Sequence, residues 1–337
     1  MKKILLIATG GTIACAQTDR GMSPVQNGNE LLSYIPSVHE ICDIDYCQLM
    51  NIDSTNMQPE HWVTIAKKIE SEYGNYNGFV ITHGTDTMAY TAAALSYLIQ
   101  NPDKPIVITG AQKPIGELIT DAKKNLLDSL IFATHNGNPG VYIVFDGKVI
   151  LGTRARKIRT KSYSAFDSIN YPVASFIDGS RVVKFFDLPT DNNPPMFYDN
   201  LVPKVFLLKL FPGMEPDILD YIGKHYDAIV IESYGVGGVP FGSKRDFLMA
   251  LKRLTEMNKI VVLASQVMLE GSDAEIYEVG YHAINNFNIL QLYDMTVEAA
   301  VVKLMWILSQ THDFSQVKSL FFKSINHDII SESDSES

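Results

Sequence analysis

The stretch "ILLIATGGTIA", residues 4–14, is an apolar run that ends in a glycine pair followed by Thr12. A short apolar run that stops at glycine is typical of a buried strand followed by a turn. The pattern returns in "GFVITHGTDTMAY", residues 78–90, where an apolar run leads into a glycine, Thr85 and Asp86. Open parallel sheets bind ligands outside the carboxyl ends of their strands. We therefore expect the two Gly-Thr segments to face one crevice.

The glycine pair does not complete a phosphate-binding loop. A dinucleotide fingerprint requires G-x-G-x-x-G and a Walker loop requires G-x-x-x-x-G-K-[ST], whereas residues 10–16 are G-G-T-I-A-C-A. A simpler interpretation is that the glycines turn the chain and Thr12 caps the next element. For the second segment the corresponding alternative is that Thr85 or Asp86 caps the following helix. A histidine at a strand end is more often structural than catalytic, so His83 is left out of the site.

Short apolar runs alternate with amphipathic segments through the first half of the chain. The strand candidates are residues 3–8, 44–50, 79–83, 105–109 and 141–145, and the helix candidates are residues 60–73, 87–100 and 121–134. Such alternation is typical of a parallel sheet with helices on its faces. We predict an α/β protein with a large N-terminal α/β domain, built on a mixed, mostly parallel sheet, and a smaller C-terminal α/β domain with a parallel sheet.

A stretch rich in proline, asparagine and aspartate, "LPTDNNPPMFYDN", separates two ordered patterns. Because these residue types interrupt helices and strands, it is the best linker candidate. The tail "SESDSES" is acidic and has no apolar residue to bury, which favours disorder. The predicted ranges are 1–187 for the N-terminal domain with the catalytic residues, 188–203 for the linker, 204–330 for the C-terminal domain and 331–337 for a disordered tail.

Composition limits the classes of function. The 337 residues suffice for one large or two modest domains. A formal net charge of -10 disfavours nucleic acid as a partner, because such binding depends on neutralising phosphates. The three cysteines form no C-x-x-C pair, and no zinc-like spacing occurs. No apolar stretch has the length of a membrane span or of an export signal. We predict a cytoplasmic protein that acts on a small polar substrate, without metal, nucleic acid or membrane.

Two further segments contain groups that a hydroxyl nucleophile and its substrate need. In "GTRARKIRTK", residues 152–161, Lys157 is one candidate for the base that a threonine hydroxyl requires. Spacing alone does not separate Lys157 from the other basic residues, and a solvated or anion-binding basic run is the alternative. In "MNIDSTNMQPE", Asp53, Ser54 and Thr55 follow a strand. Helix capping explains them, and an acid beside a hydroxyl also suits a zwitterionic ligand.

Together these segments resemble the bacterial-type L-asparaginase family, in particular its cytoplasmic type I branch. The signature stretches are "TGGTIA" and "THGTDTMAY", and similar blocks lie at residues 53–55, 109–114, 152–158, 232–238 and 294–306. The resemblance spans nearly the whole chain. Either Gly-Thr motif alone would be weak evidence, but the pair in this order is highly specific.

Carried over residue by residue, the resemblance favours Thr12 over Thr85 as the nucleophile and implies that Thr85, Asp86 and Lys157 complete the catalytic group. The implied reaction converts L-asparagine to L-aspartate and ammonia through an acyl-enzyme ester, with minor hydrolysis of glutamine. Lys157, held by Asp86, would accept the proton through Thr85. No metal or organic cofactor is implied.

The resemblance also assigns the groups that hold the substrate. The residues expected to bind the substrate are Asp53, Ser54, Thr55, Thr85 and Asp86. Backbone N–H groups of Gly11 and Thr85 are candidates for the oxyanion hole. In the family, a neighbouring subunit closes the active site of the two-domain chain, which implies a homodimer or a homotetramer.

Two positions depart from the family pattern. The family's tyrosine on the loop after the first strand helps to orient the nucleophile, and Met22 in "DRGMSPV" takes its place here. Because a thioether donates no hydrogen bond, another residue orients Thr12, or the loop acts by excluding water, or activity is reduced. Gly238 stands where some relatives have an asparagine that reaches across the dimer, so that contact is not expected here.

Two other functions are weighed against a free amidohydrolase. An archaeal glutamyl-tRNA amidotransferase has, in its D-type chain, the same core but supplies ammonia to a charged tRNA, and that chain has an extra domain before the TGGT stretch. The TGGT stretch begins near Met1 here and the chain is acidic, so we rank this function second. An amino-acid sensor without catalysis ranks third, because Thr12, Thr85, Asp86 and Lys157 are all present.

Overall fold

Two sheets organise the two halves of the chain. The computed structural model describes residues 1–18, 21–24, 28–188, 193–242, 244–276 and 286–330. The contacts between residues divide the chain into two units, Met1–Asp199 and Asn200–Ser337. The division falls inside the predicted linker, and the predicted tail lies outside the described residues.

The N-terminal unit alternates strands and helices. Its strands are β1 (Lys3–Gly10), β2 (Cys15–Thr18), β3 (Gly21–Pro24), β4 (Asp43–Ile52), β5 (Gly78–Thr82), β6 (Ile99–Gln100), β7 (Pro105–Thr109), β8 (Gly140–Phe145), β9 (Lys148–Leu151), β10 (Ala155–Lys157), β11 (Phe166–Ser168), β12 (Ser175–Asp178), β13 (Arg181–Val183) and β14 (Met196–Phe197). Its helices are α1 (Gly28–Ser33), α2 (Pro59–Glu72), α3 (Met88–Leu98) and α4 (Ala122–Thr134). Short 3-10 turns follow β1 at Thr12–Ala14 and β4 at Ser54–Asn56.

The large sheet of this unit is mixed, as predicted. Its strand order is β13-β12-β9-β8-β7-β5-β1-β4. β1 pairs in parallel with β4 and β5, and β7 pairs in parallel with β5 and β8. Beyond β8, the pairs formed by β9, β12 and β13 are antiparallel. The predicted fold class is confirmed, and the five predicted strands correspond to β1, β4, β5, β7 and β8.

The direction in which strands are added to the sheet reverses at β1. The chain leaves β1 for β4 on one side and then crosses to β5 on the other side. In open α/β sheets, ligands bind at such a reversal, in the crevice outside the carboxyl ends of the strands. The two Gly-Thr segments follow β1 and β5, the strands that border the reversal. The topology therefore places both segments where this class of fold builds a site.

The helices pack on the sheet as their apolar residues require. α2 buries one apolar face, which begins at Trp62, as expected for a helix at the surface. α3 is buried on nearly all sides. It ends at Leu98, before the predicted end, because Ile99–Gln100 are extended and pair with Met196–Phe197.

The C-terminal unit has a smaller parallel sheet. Its strands, in spatial and chain order, are β15 (Val205–Lys209), β16 (Ala228–Ser233), β17 (Ile260–Ser265) and β18 (Ile289–Gln291). Its helices are α5 (Ile218–His225), α6 (Phe247–Glu256), α7 (Val297–Leu308) and α8 (Phe314–Phe322). On α7, Lys303 forms a fully buried ion pair with Asp328, with 2.6 Å between Nζ and Oδ2. Because an unpaired buried charge is costly, this pair fastens residue 328 to α7.

Candidate active site

The turns after β1 and β5 touch through glycine. Gly11 has a φ of +85°, a conformation that residues with a side chain rarely adopt. A Cβ atom on Gly11 would lie 2.5 Å from the Cα of Gly84, so the two backbones approach this closely only without a side chain there. Thr12 and Thr85 are the next residues in the two turns. The structure therefore brings the two threonine-bearing turns side by side.

The turn after β4 joins the same cluster through Ser54. A Cβ atom on Gly84 would lie 2.6 Å from Ser54 Oγ, so this position also requires close approach. The backbone N–H of Asp86 donates to Ser54 Oγ at 3.3 Å, and the Thr87 hydroxyl donates to the Ser54 carbonyl at 2.8 Å. Three strand ends thus meet at one point, and Ser54 itself is buried.

Lys157 reaches this cluster from β10. Its ammonium Nζ donates to Thr85 Oγ1 at 2.8 Å and to Asp86 Oδ1 at 2.6 Å. The Lys157 side chain is 18% exposed and the Asp86 side chain 56%, so the pair lies at the edge of solvent. β10 pairs antiparallel with β11, where Lys157 lies opposite Phe166. The ring of Phe166 packs against that of Phe145, with 5.1 Å between the ring centroids. The structure thereby selects Lys157 from the basic run.

The capping interpretation is wrong for Thr85 and Asp86. The N-cap residue of α3 is Thr87, and its side chain makes no capping hydrogen bond. The Asp86 carboxylate pairs with Lys157 instead. α3 begins directly after this turn, and a helix N-terminus favours negative charge.

Capping does explain Asp53, as the sequence allows. Its Oδ1 accepts hydrogen bonds from the Thr55 backbone N–H at 2.8 Å and from the Thr55 hydroxyl at 2.9 Å. Both bonds lower the pKa of the Asp53 carboxyl, and the bond from the Thr55 backbone has the larger effect. The carboxyl is therefore ionised at neutral pH. Asp53 and Thr55 are both exposed beside buried Ser54.

Gln112 is a neighbour of the cluster that the sequence does not single out. Its Oε1 lies 3.5 Å from Thr85 Oγ1, and its Nε2 donates to the Ser162 carbonyl at 3.1 Å. Its backbone N–H donates to the Asp121 carboxylate at 2.9 Å. Gln112 follows β7, the next strand along from β5. Its position after a fourth parallel strand was the available signal, since the same rule places strand ends together.

His83 precedes the second turn but is enclosed. It is 0% exposed, and burial lowers the pKa of its imidazole from 6.5 to about 4. Nδ1 lies 2.6 Å from the Gly84 carbonyl oxygen, and Nε2 lies 2.9 Å from Thr91 Oγ1. Both ring nitrogens are therefore occupied, and the ring is neutral at physiological pH.

We expect His83 to make the protein less stable in acid. Because its folded pKa of about 4 is below the unfolded value of 6.5, the unfolded state binds more protons, and stability falls as the pH drops through this window. Between about pH 7 and about pH 4.5 the loss should reach about 2 kcal/mol of unfolding free energy. Urea unfolding of the wild type and of His83→Gln at both pH values measures it, because only the wild type has this loss. An equal pH dependence in the two proteins would contradict the assignment.

Three features raised by the sequence are not found among the described residues: the Met22 side chain, a metal-binding group and a membrane-spanning helix. Met22 lies in β3, but its side chain is outside the part of the chain that the structure describes. Among the described residues, no group of three histidine, cysteine or carboxylate side chains has the geometry to hold a metal ion. A search of the same residues finds no helix that combines the length and apolarity required to cross a membrane.

Two family models match the chain in succession. The first, "Asparaginase, N-terminal", covers residues 3–188, and the second, "Glutaminase/Asparaginase C-terminal domain", covers residues 204–321. The chain belongs to the asparaginase family. It is an amidohydrolase of this family, and both the family resemblance and the enzyme class predicted from the sequence are confirmed.

Individual relatives agree with this family. An L-asparaginase of Thermococcus kodakarensis is 38% identical, with 97% of this chain and 99% of the relative covered. The D-type chain of the glutamyl-tRNA(Gln) amidotransferase of Metallosphaera sedula is 32% identical, with 96% of this chain and 76% of the relative covered. The matches therefore include both of the enzymes weighed from the sequence, and about a quarter of the amidotransferase chain remains unmatched.

Solved structures share the fold over nearly the whole chain. The thermostable L-asparaginase from Thermococcus kodakarensis superposes with a TM-score of 0.93 at 38% identity, covering 98% of this chain and 100% of that one. L-asparaginase I from Vibrio cholerae gives 0.87 at 29% identity, covering 98% and 99%. A probable cytoplasmic L-asparaginase from Campylobacter jejuni gives 0.81 at 26% identity, covering 96% and 100%.

Proposed function

We propose that this member of the family is an L-asparaginase, which hydrolyses L-asparagine to L-aspartate and ammonia. The observation that carries the proposal is the pair of hydrogen bonds from Lys157 to Thr85 and Asp86, next to the turn that contains Thr12. A lysine held between a carboxylate and a hydroxyl has a direct route for taking up the proton of that hydroxyl. L-Asparagine is the favoured substrate because the relatives from Thermococcus and Vibrio are L-asparaginases.

Thr12 is the proposed nucleophile. Its hydroxyl oxygen bonds to the side-chain amide carbon of the substrate, while its proton passes through Thr85 to the neutral amine of Lys157. The C–N bond then breaks, and the proton returns to the leaving nitrogen, which departs as ammonia. Water attacks the Thr12 ester through the same relay and releases L-aspartate. Asp86 stabilises the ammonium form of Lys157 in each half of the reaction.

The substrate's charged ends are proposed to bind at the turn after β4. Both bonds from Thr55 end on Oδ1 of Asp53, and Oδ2 of this ionised carboxylate is the proposed acceptor for the α-ammonium. The Ser54 hydroxyl accepts from the Asp86 N–H, and its own proton is directed to the α-carboxylate. Thr85 and Asp86 complete the binding set. Since the substrate's α-carboxylate and α-ammonium do not react, binding them positions the amide for attack.

The developing oxyanion needs hydrogen-bond donors that are already in place. We assign the backbone N–H groups of Gly11 and Thr85 to this role, because the two turns are in contact through Gly84. The N-terminus of α3, which follows this turn directly, adds a favourable field for negative charge. Such donors act on the transition state more strongly than on the substrate, so they raise kcat.

Asparagine should be the preferred amide. Glutamine has one more methylene, which displaces its amide carbon from the nucleophile when the α-groups are held. One methylene is worth about 1–3 kcal/mol, so kcat/KM for L-asparagine should exceed that for L-glutamine by about 10- to 200-fold. A coupled ammonia assay with each amide measures the ratio. Equal values would contradict the preference, and activity with neither amide would overturn the proposed function.

The second candidate is an ammonia-supplying component of a tRNA-dependent amidotransferase. It is supported by the match to the amidotransferase chain of Metallosphaera sedula over 96% of this chain. The same ammonia assay separates the two functions when it is run with and without glutamyl-tRNA. A free amidohydrolase releases ammonia at the same rate in both, whereas activity that depends on the tRNA would favour the second candidate.

Assembly and location belong to the proposal as well. A homodimer or homotetramer is proposed from the family resemblance, in which a neighbouring subunit closes the active site. A cytoplasmic location is supported by the similarity to the probable cytoplasmic L-asparaginase of Campylobacter jejuni.

A further inference from the structure

A chain of buried hydrogen bonds leads from α2 to the turn after β5. The indole Nε1 of Trp62 lies 2.9 Å from Thr91 Oγ1 on α3, and Thr91 Oγ1 lies 2.9 Å from Nε2 of His83. Nδ1 of His83 lies 2.6 Å from the carbonyl oxygen of Gly84. Trp62 is 5% exposed, and Thr91 and His83 are both 0% exposed. Water therefore does not compete for these bonds.

The direction of every bond in this chain is determined by its two ends. An indole N–H can only donate, so Thr91 Oγ1 accepts from Trp62. A carbonyl oxygen can only accept, so His83 Nδ1 carries the proton of the neutral ring and donates to the Gly84 carbonyl. His83 Nε2 is therefore unprotonated and accepts from the Thr91 hydroxyl. All four groups are satisfied in this arrangement.

The last bond controls an active-site peptide. The carbonyl of Gly84 and the N–H of Thr85 belong to one trans peptide, in which they point in opposite directions. Holding the carbonyl on His83 therefore aims the Thr85 N–H away from the ring.

The hydrogen bond from His83 matters because the peptide that it holds begins at a glycine, Gly84. A side chain at this position would collide with Ser54 Oγ, so glycine is required for the turns to meet. Glycine, however, leaves the backbone free to rotate at little cost. Gly84 thus allows the turns to meet but does little by itself to fix the orientation of the Gly84–Thr85 peptide.

We propose that His83 is a positioning residue for catalysis: backed by Thr91 and Trp62, it holds the Gly84–Thr85 peptide so that the Thr85 N–H donates to the oxyanion. This inference rests on the proposed function. It also explains how a histidine that does not exchange protons with the substrate contributes to the rate.

Thr91→Val tests the chain because it removes only the hydroxyl and keeps the shape of the side chain. Loss of one oxyanion-hole donor lowers kcat by about 10²–10³-fold, and a misaligned donor by less. We expect kcat for L-asparagine to fall by about 10- to 100-fold, with KM within about twofold of wild type because substrate binding uses other groups. Thr91→Ser restores the hydroxyl and should recover kcat to within about threefold.

Ser96→Ala is the matched control on the same helix. Its hydroxyl is also buried, but it donates to the Ala92 carbonyl of its own helix and does not belong to the chain. Its kcat should stay within about twofold of wild type. If Thr91→Val has wild-type kcat, or if Thr91→Ser fails to recover it, the inference is overturned. Should Thr91→Val not fold, Trp62→Phe replaces it, with a smaller fall in kcat expected because Thr91 then loses its fixed direction.

A measurement without turnover separates this inference from the proposed function. In protein labelled with ¹⁵N-histidine, the His83 imidazole at neutral pH should be neutral, with its proton on Nδ1 and a bare Nε2. A proton on Nε2 would overturn the inference even if the enzyme hydrolyses asparagine. A wild-type protein without amidase activity would instead overturn the proposed function, and with it the role of this peptide in catalysis.

Discussion

Thr12→Ala is expected to lower kcat for L-asparagine hydrolysis by about 10³- to 10⁶-fold, the loss typical when a nucleophile is removed from a set that acts as a unit. The side chain lies in the turn after β1, where Gly11 packs on Gly84, so its removal leaves that backbone contact intact. KM should change little, since the substrate's α-groups bind elsewhere. Steady-state ammonia assays give kcat and KM, and thermal unfolding verifies that the variant is folded.

Thr85 is the competing nucleophile, and trapping the acyl-enzyme decides between them. In wild-type enzyme quenched with acid during turnover, mass spectrometry should find the aspartyl ester on the peptide that contains Thr12. An ester on the Thr85 peptide, or near-normal turnover in Thr12→Ala, would reverse the assignment. Thr64→Ala is a suitable control, because Thr64 is exposed on α2 and donates only to the Glu60 carbonyl one turn before it.

Lys157→Met should lower kcat by about 10²- to 10⁴-fold, the contribution usually made by a positioned general base. Methionine keeps most of the length of the side chain but loses the nitrogen that contacts Thr85 and Asp86. The hydroxyl relay then has no final acceptor for the proton. Ammonia assays over a range of pH measure the loss, which should persist at every pH.

Lys157→Arg distinguishes a base from a mere positive charge. Arginine can pair with Asp86 but does not lose its proton in proteins. If Lys157 is the base, this variant should be nearly as impaired as Lys157→Met; substantial recovery would show that charge alone matters. Lys259→Met is the matched control, since Lys259 forms a similar ion pair with Asp227 in the C-terminal unit, with 3.0 Å between Nζ and Oδ1.

Local signals in the sequence were sufficient for the fold class and for the contact between the two Gly-Thr turns. The periodicity of apolar residues acts over a few neighbours, and it predicted the strands that became β1 and β5. Glycine after each strand predicted turns that approach closely, which Gly11 and Gly84 do. The rule that ligands bind outside the carboxyl ends of parallel strands then placed Thr12 and Thr85 together.

Spacing could not choose among groups that tertiary contacts select. Lys157 is 72 residues from Thr85 and 71 from Asp86, so no local pattern separates it from the basic residues around it. The sequence allows Asp86 to be a helix cap. Its ion pair with Lys157 forms only because the fold packs β10 next to the turn after β5. Gln112 joins the site because β7 is adjacent to β5.

The quoted stretch "ILLIATGGTIA" therefore contains its own strand, its turn and its hydroxyl, because each depends on the conformational preferences of adjacent residues. The proposed base for that hydroxyl, Lys157, and the histidine proposed to hold the facing peptide, His83, come from other segments of the chain. Their positions follow from the order of strands in the sheet and the packing of α2 and α3, which depend on burial of apolar surface across the whole unit. The free energy of burying this surface depends on the whole assembled unit, so patterns among adjacent residues do not predict these positions.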